Sequence, residues 1–326
     1  MSTTQGSATP VSGPSAGLTE LPGSLPAPAS RRRSFRRGPL PVLIAALTWG
    51  TTGTAAHFAP TAASPLAIGA VTMGCGGLIL LALAGRSVLP LLRAGRRALL
   101  TALAGALCVA IYPLAFYSSM AIAGVAIGTV VSIGSSPVFA VLIERVLDGS
   151  RLNARWAAAT AVSAIGVVFL VNGHHGAGDQ TQSLAAVAGG TALGLVAGAT
   201  YAGYSYAAGR LMRQGAASRP VMGLIFGGGA VLLLPVLVLT GGPLFQSASG
   251  LVVSAYLAVV PMSLAYVLFG IGLSRVSAST ATSLSLVEPV VAAVLSVLVV
   301  GEHLGLAAWG GVALVGAGVL LLGMSA

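Results

Sequence analysis

The chain holds six acidic residues, and one of them, Glu288, stands near the middle of an apolar run from Ser277 to Gly301. Pro289 follows it, and Ser285 precedes it by about one helical turn. A carboxylate in hydrocarbon costs about 2.5–3.5 kcal/mol on insertion scales, so it is expected to face a protein interior or a wet cavity. Such a group can exchange a proton with water or pair with an amine. It can equally be a protonated acid that ties two helices together by a hydrogen bond. At about 100° per residue, Ser277, Ala281, Ser285, Glu288, Ala292 and Ser296 share one helix face, with Leu286, Val290 and Val297 opposite. The polar face is also the small-residue face, which suits a cavity wall. Proline in mid-helix frees a backbone carbonyl. That carbonyl at Pro289 either lines a site or marks a packing kink.

Ser136-Pro137 sits in a second apolar run, with Thr129, Ser132, Ser136 and Ala140 on one face. Aromatic residues fall near the middle of other runs: Trp49, Tyr112, Tyr117, Tyr201, Tyr204, Tyr206 and Tyr266. A tyrosine ring can stack on a substrate while its hydroxyl hydrogen-bonds it, and it can also simply pack. The candidate site is therefore Glu288, Ser285, Pro289, Ser136, Pro137, Trp49, Tyr112, Tyr117, Tyr201 and Tyr266. With no arginine expected at that depth, the cavity favours a cation or a zwitterion over an anion. No Ser/His/Asp set, HExxH, phosphate loop or dinucleotide fingerprint is present. The sequence thus predicts neither an enzyme nor a cofactor, and any energy would come from an ion gradient. His174-His175 with Asp179, and Glu302-His303, read as solvated loop residues rather than metal ligands.

Composition dictates the solvent of the elements that carry these residues. The chain has 326 residues, 56% hydrophobic and 7% charged, with a mean hydropathy of +0.96. A soluble domain carries about 25% charged residues. Lipid must be the solvent here, and runs of about 20 apolar residues indicate helices rather than barrel strands. The sequence predicts an all-α integral membrane protein with ten spans: 39–57, 65–85, 98–119, 124–143, 155–173, 184–208, 219–240, 250–271, 277–300 and 304–323. Between the third and fourth, only 121–124 offers a break. All 16 basic residues are arginines, and every one falls before span one or in alternate loops. The positive-inside rule then puts both termini in the cytoplasm. The net charge of +10 thus belongs to loops and argues against nucleic-acid binding.

Residues 1–38 read as a disordered cytoplasmic tail. Its Arg31-Arg32-Arg33-Ser34-Phe35-Arg36-Arg37 end anchors the first membrane helix rather than acting as a twin-arginine export signal. Cys75 and Cys108 read as small core residues, and Trp156 and Trp309 as interfacial anchors. Gly190, Gly194 and Gly198 form a close-packing helix face.

Shifting the sequence by 152 residues aligns its halves without a gap. Thr48-Trp49-Gly50 falls on Thr200-Tyr201-Ala202, Gly76-Gly77 on Gly228-Gly229, Ser136-Pro137 on Glu288-Pro289, and Gly166-Val167 on Gly318-Val319. The halves are 39–173 and 184–326. Five spans each make them two inverted five-helix repeats. Inverted repeats place a site near the midplane and let it open to alternate sides.

Thr48-Trp49-Gly50 and the stretch from Ser283 to Leu304, with Glu288-Pro289 and Gly301-Glu302, resemble the EamA-type transporters of the drug/metabolite transporter superfamily. The resemblance covers residues 39–323. It implies a carrier of the bacterial inner (plasma) membrane, multi-pass, often an exporter of amino acids or related metabolites. Ser150 stands where the family often repeats the loop glutamate seen here as Glu302. The expected function is a proton-coupled exporter of amine-bearing metabolites working by alternating access, with Glu288 alternating between amine and proton. Efflux of lipophilic cationic drugs is the alternative within transport, and a lipid-modifying enzyme or scaffold is the alternative outside it. The expected partners are a small-molecule substrate, the lipid bilayer and a second copy in a homodimer.

Overall fold

A computed structural model describes Ser2 and residues 38–150, 154–172, 184–300 and 305–325. The basic run 31–37, His174, His175, Asp179, Glu302 and His303 lie outside these residues, as does the side chain of Ser296. Every regular element among the described residues is helical. The longer helices, in order, are α1 Pro39–Trp49, α2 Thr52–His57, α3 Pro65–Ala84, α4 Arg96–Asp148, α5 Ala154–Asn172, α6 Leu184–Arg213 and α7 Ser218–Thr240. There follow α8 Ala248–Leu257, α9 Ala265–Leu273, α10 Ala278–Leu284, α11 Glu288–Leu295 and α12 Leu306–Ser325.

Local chemistry sets several of these ends. Pro65 opens α3 behind Ser64, whose Oγ accepts from the Ala67 N–H at 3.2 Å. Ser247 and Ser277 cap α8 and α10 in the same way, at 3.0 and 3.1 Å. Gly149 ends α4 with a φ of +67°, a left-handed cap that glycine adopts without strain.

Among the described residues, six stretches are long and apolar enough to cross a bilayer: Pro65–Leu92, Arg96–Ala123, Leu184–Arg213, Ser218–Thr240, Ala248–Leu273 and Ala278–Val299. The first expected span is instead broken after Trp49 into α1 and α2. The last spans of each half are shorter apolar helices, Ala154–Phe169 and Leu306–Leu321. The fourth expected span belongs to α4. That helix folds back on itself, since a Cβ at Gly128 would meet the backbone of Met120 at 2.7 Å. Ser119 and Val131 then both lie beside Gly194 of α6. The Ser119 hydroxyl donates to the Gly190 carbonyl at 2.7 Å, so the small face of α6 packs on both limbs of α4.

The packing repeats under the 152-residue shift. A Cβ on Gly166 would meet Gly311 O and Val315 N, at 2.8 and 2.7 Å. One on Gly318 would meet Ala159 O at 2.6 Å and collide with Ser163 Oγ. Residues 159 and 163 shifted by 152 are 311 and 315, so each helix grips the other through equivalent positions. Gly76 packs on Ala258 and Met262, and Gly228 packs on Ala106, the shifted counterpart of Ala258. Thr48 donates to the Ala45 carbonyl at 2.7 Å, and its counterpart Thr200 donates to Ala197 at 3.0 Å.

Among the described residues, arginines gather where α3 ends, α4 and α6 end, and α9 ends. Arg219 donates to the Leu83 carbonyl, its Nε at 2.6 Å. Gly38 packs on Arg275 and Val276. From this end inward the bundle is solid. Val42, Ala45, Ala46, Ala208, Leu211, Leu273, Ala278 and Ala281 are all at most 2% exposed.

Candidate functional site

A cavity begins roughly 15 Å of helix away from the arginine-bearing end, at 1.5 Å rise per residue. The space between its walls amounts to about 510 Å³, open solvent included. Trp49 and Thr52 come from the broken first segment, Thr72 and Met73 from α3, and Tyr112, Pro113, Phe116 and Tyr117 from α4. Tyr201 and Tyr204 come from α6, Pro261, Met262 and Tyr266 from the segment running into α9, and Glu288 from the start of α11. Glu288 is the one charged residue in this lining, and half of the lining is aromatic.

Each wall has a local cause. Pro261 lies in a stretch of wider, π-type turns, Ala258–Leu264. There the Ser263 hydroxyl donates to the Ala258 carbonyl five residues back, at 2.7 Å. Such widening is frequent at functional sites. Glu288 follows a tightened turn, Ser285–Val287, so the helix is irregular on its approach to Pro289. The even 100° spacing used above for this helix does not persist through that turn. Leu286, expected opposite the polar face, is as fully buried as Ser285.

Gly50 lets α1 come against the acid's own backbone. A Cβ there would lie 3.0 Å from Glu288 O and 2.5 Å from Val291 Cβ. Trp49 is thereby set beside Glu288. Its ring centroid is 4.9 Å from that of Tyr266, and it meets Tyr201 edge-on at 6.3 Å. Trp49 and Tyr201 are counterparts under the 152-residue shift. The Trp49 Nε1–H is buried with no partner among the described residues. Tyr112 stacks on Phe116 at 5.6 Å and reaches Tyr201 at 5.8 Å.

Two pairs of buried hydroxyls tie the cavity walls together. Tyr201 and Ser285 share a hydrogen bond at 2.6 Å, and Tyr204 and Tyr266 one at 2.7 Å. Ser285 also donates to the Ala281 carbonyl at 3.0 Å. Tyr201→Phe is therefore expected to remove one tie but leave Ser285 satisfied. A loss of about 1 kcal/mol should follow, read as a small drop in the thermal unfolding midpoint in detergent.

The structure brings six of the sequence-derived residues to one cavity: Glu288, Trp49, Tyr112, Tyr117, Tyr201 and Tyr266. Ser285 stands behind the wall, holding Tyr201, and Pro289 is buried. Ser136 and Pro137 are not in the lining. Ser136 is fully buried and donates to the Ile133 carbonyl at 2.8 Å. Along the same limb of α4, the glycine face of α6 packs close, Gly198 lying against Ser132 and Ser135. Thr52, Thr72 and Phe116 carried no signal in the sequence. Pro113 and Pro261 did carry one, because under the shift they lie one helical turn apart.

Glu144 and Asp148 were also unforeseen. Glu144 is 7% exposed, and its Oε1 accepts from the Ser279 N–H at 3.2 Å. Asp148 accepts from Tyr206, Arg210 and Arg213. Of the two expected anchors, Trp309 is half-exposed, while Trp156 is partly buried against the core.

The EamA-like transporter family matches the chain twice, over residues 36–172 and 189–324. The uncharacterized transporter YwfM of Bacillus subtilis (strain 168) is 34% identical over 283 residues, covering 86% of this chain and 92% of the relative. The uncharacterized inner membrane transporter YicL of Salmonella typhimurium is 28% identical over 299 residues, covering 89% and 96%. A crystal structure at 23% identity superposes with a TM-score of 0.67, covering 86% of this chain and 94% of that one, which is a likeness of fold.

Proposed function

The chain belongs to the EamA-like transporter family, and on that premise we propose that it is a secondary carrier exporting small amine-bearing metabolites in exchange for protons. Membership makes it a multi-pass membrane protein with a small-molecule cargo. In our reading it crosses the bacterial inner membrane ten times, as halves 39–173 and 184–326 in inverted orientation. The reciprocal contacts of Gly166 and Gly318 support that arrangement. The arginine-bearing end would face the cytoplasm.

The observation that carries the proposal is Glu288, a lone carboxyl among aromatic walls with no basic side chain in the lining. The Glu288 carboxylate accepts hydrogen bonds from a substrate ammonium. Aromatic faces such as those of Trp49 and Tyr112 add attraction for the same cation. Protonation of Glu288 on one side of the membrane releases the amine, and loss of that proton on the other prepares the next cycle. An amino acid also brings a carboxylate, for which the lining offers only neutral donors such as the Tyr and Thr hydroxyls. The aromatic walls also favour the second reading, efflux of lipophilic organic cations.

The test is flux into proteoliposomes of three solute classes: amino acids, alkyl or quaternary ammonium ions, and dicarboxylate anions. Movement of the first or second class without the third is the expected result. Movement of dicarboxylates alone would overturn the reading.

A further inference from the structure

The cavity and the solid packing below it raise the question of what keeps the arginine-bearing end shut. A cluster of side chains from both halves of the chain stands there. The Asp148 carboxylate, at the last turn of α4, takes the Tyr206 hydroxyl at 2.7 Å and Arg210 Nη1 at 3.3 Å on one oxygen. Its other oxygen takes Arg213 Nη2 at 2.9 Å. Arg210 also donates to the Tyr206 hydroxyl at 2.6 Å. Both guanidinium groups stand within 6 Å of the Tyr206 ring centre, at 5.9 and 5.7 Å. One carboxylate thus gathers three side chains of α6 into a single cluster. A turn earlier, buried Glu144 ties the same end of α4 to the start of α10 through the Ser279 N–H.

The repeat makes the position informative. Under the 152-residue shift Asp148, Tyr206, Arg210 and Arg213 fall on Val300, Thr54, Phe58 and Thr61. No charge stands at any of the four counterpart positions. A duplicated chain with matched glycine seams therefore differs, end for end, in this cluster.

We propose that the Asp148–Tyr206–Arg210–Arg213 cluster is a lock that holds the arginine-bearing end closed, and that its one-sidedness sets the resting state of the carrier open toward the opposite face. The proposal rests on the alternating-access reading above. Closure at this end brings α4 against α6 and α10, and opening must separate Asp148 from both arginines. Single exposed ion pairs contribute little, but Asp148 holds two pairs and a hydroxyl together, and a small term is enough to tilt two near-equal states.

The experiment is a distance measurement across the lock. Spin labels are placed at Ser150→Cys and Gln214→Cys, both exposed positions, after Cys75→Ala and Cys108→Ala. With Asp148 intact one short distance is expected. Asp148→Asn is expected to add a longer distance and to raise the open population roughly three- to tenfold. The exchange Asp148→Arg with Arg210→Asp and Arg213→Asp should return the short distance, which loss of fold would not do. An unchanged distance distribution in Asp148→Asn overturns the lock. So does an exchange variant that stays open while retaining the wild-type melting midpoint. The readout needs no substrate, so failure of the export reading, seen in flux, remains separate from failure of the lock, seen in distances.

Discussion

Glu288→Gln is expected to lower amine flux by at least about 30-fold while leaving the protein folded. Truncating one member of a desolvated, hydrogen-bonded charge pair costs about 2–5 kcal/mol, and 2 kcal/mol is roughly a factor of 30. Glutamine keeps the size of the side chain and its capacity to hydrogen-bond. A merely structural acid would therefore be replaced by it with little loss. The comparison separates the two roles that the residue alone leaves open. Proteoliposome flux and a melting midpoint measured on the same preparations give both readings. Normal flux in the Glu288→Gln variant would return Glu288 to packing.

Gly77→Ala carries the largest expected effect on stability. A Cβ there would collide with the carbonyl oxygen of Phe226 and lie 2.9 Å from Ala230 Cβ, on the seam between α3 and α7. Backbone cannot retreat as a flexible side chain can, so overpacking of about 1–3 kcal/mol or more is expected. Gly53→Ala is the matched control, since nothing lies within 4 Å of a Cβ at Gly53. In α2 it should be neutral or slightly stabilising, because alanine favours helix over glycine by about 1 kcal/mol. Equal midpoints for the two variants would contradict the packing of this seam.

Much of the helical architecture was legible because lipid removes alternatives: long apolar runs without charge can only be helices. The glycine matches at 76, 166, 228 and 318 were legible as a repeat, and the structure puts each at a close helix contact. Glu288 and the tyrosines were legible because a charge or a hydroxyl in hydrocarbon needs a reason. Ser136, the counterpart of Glu288, lies outside the cavity lining, because the shift relates sequence positions but not the neighbours each position meets. Gly198 lies against Ser132 and Ser135 on that limb of α4. Asp148 escaped attention because an acid at a helix end beside arginines is ordinary in one dimension. Only the fold brings Tyr206, Arg210 and Arg213 of α6 to it. The tightened turn at Ser285–Val287 and the π-type turns around Pro261 also lay beyond sequence periodicity, which assumes one pitch throughout.

The most direct test of proton-for-amine exchange at Glu288 is proton movement recorded during amine flux. Proteoliposomes carrying an internal pH dye would receive an amine identified by the solute panel, with wild type and Glu288→Gln side by side. Amine entry with simultaneous proton exit in wild type, and neither in Glu288→Gln, is the predicted result. Equal amine and proton movement in both proteins would contradict it.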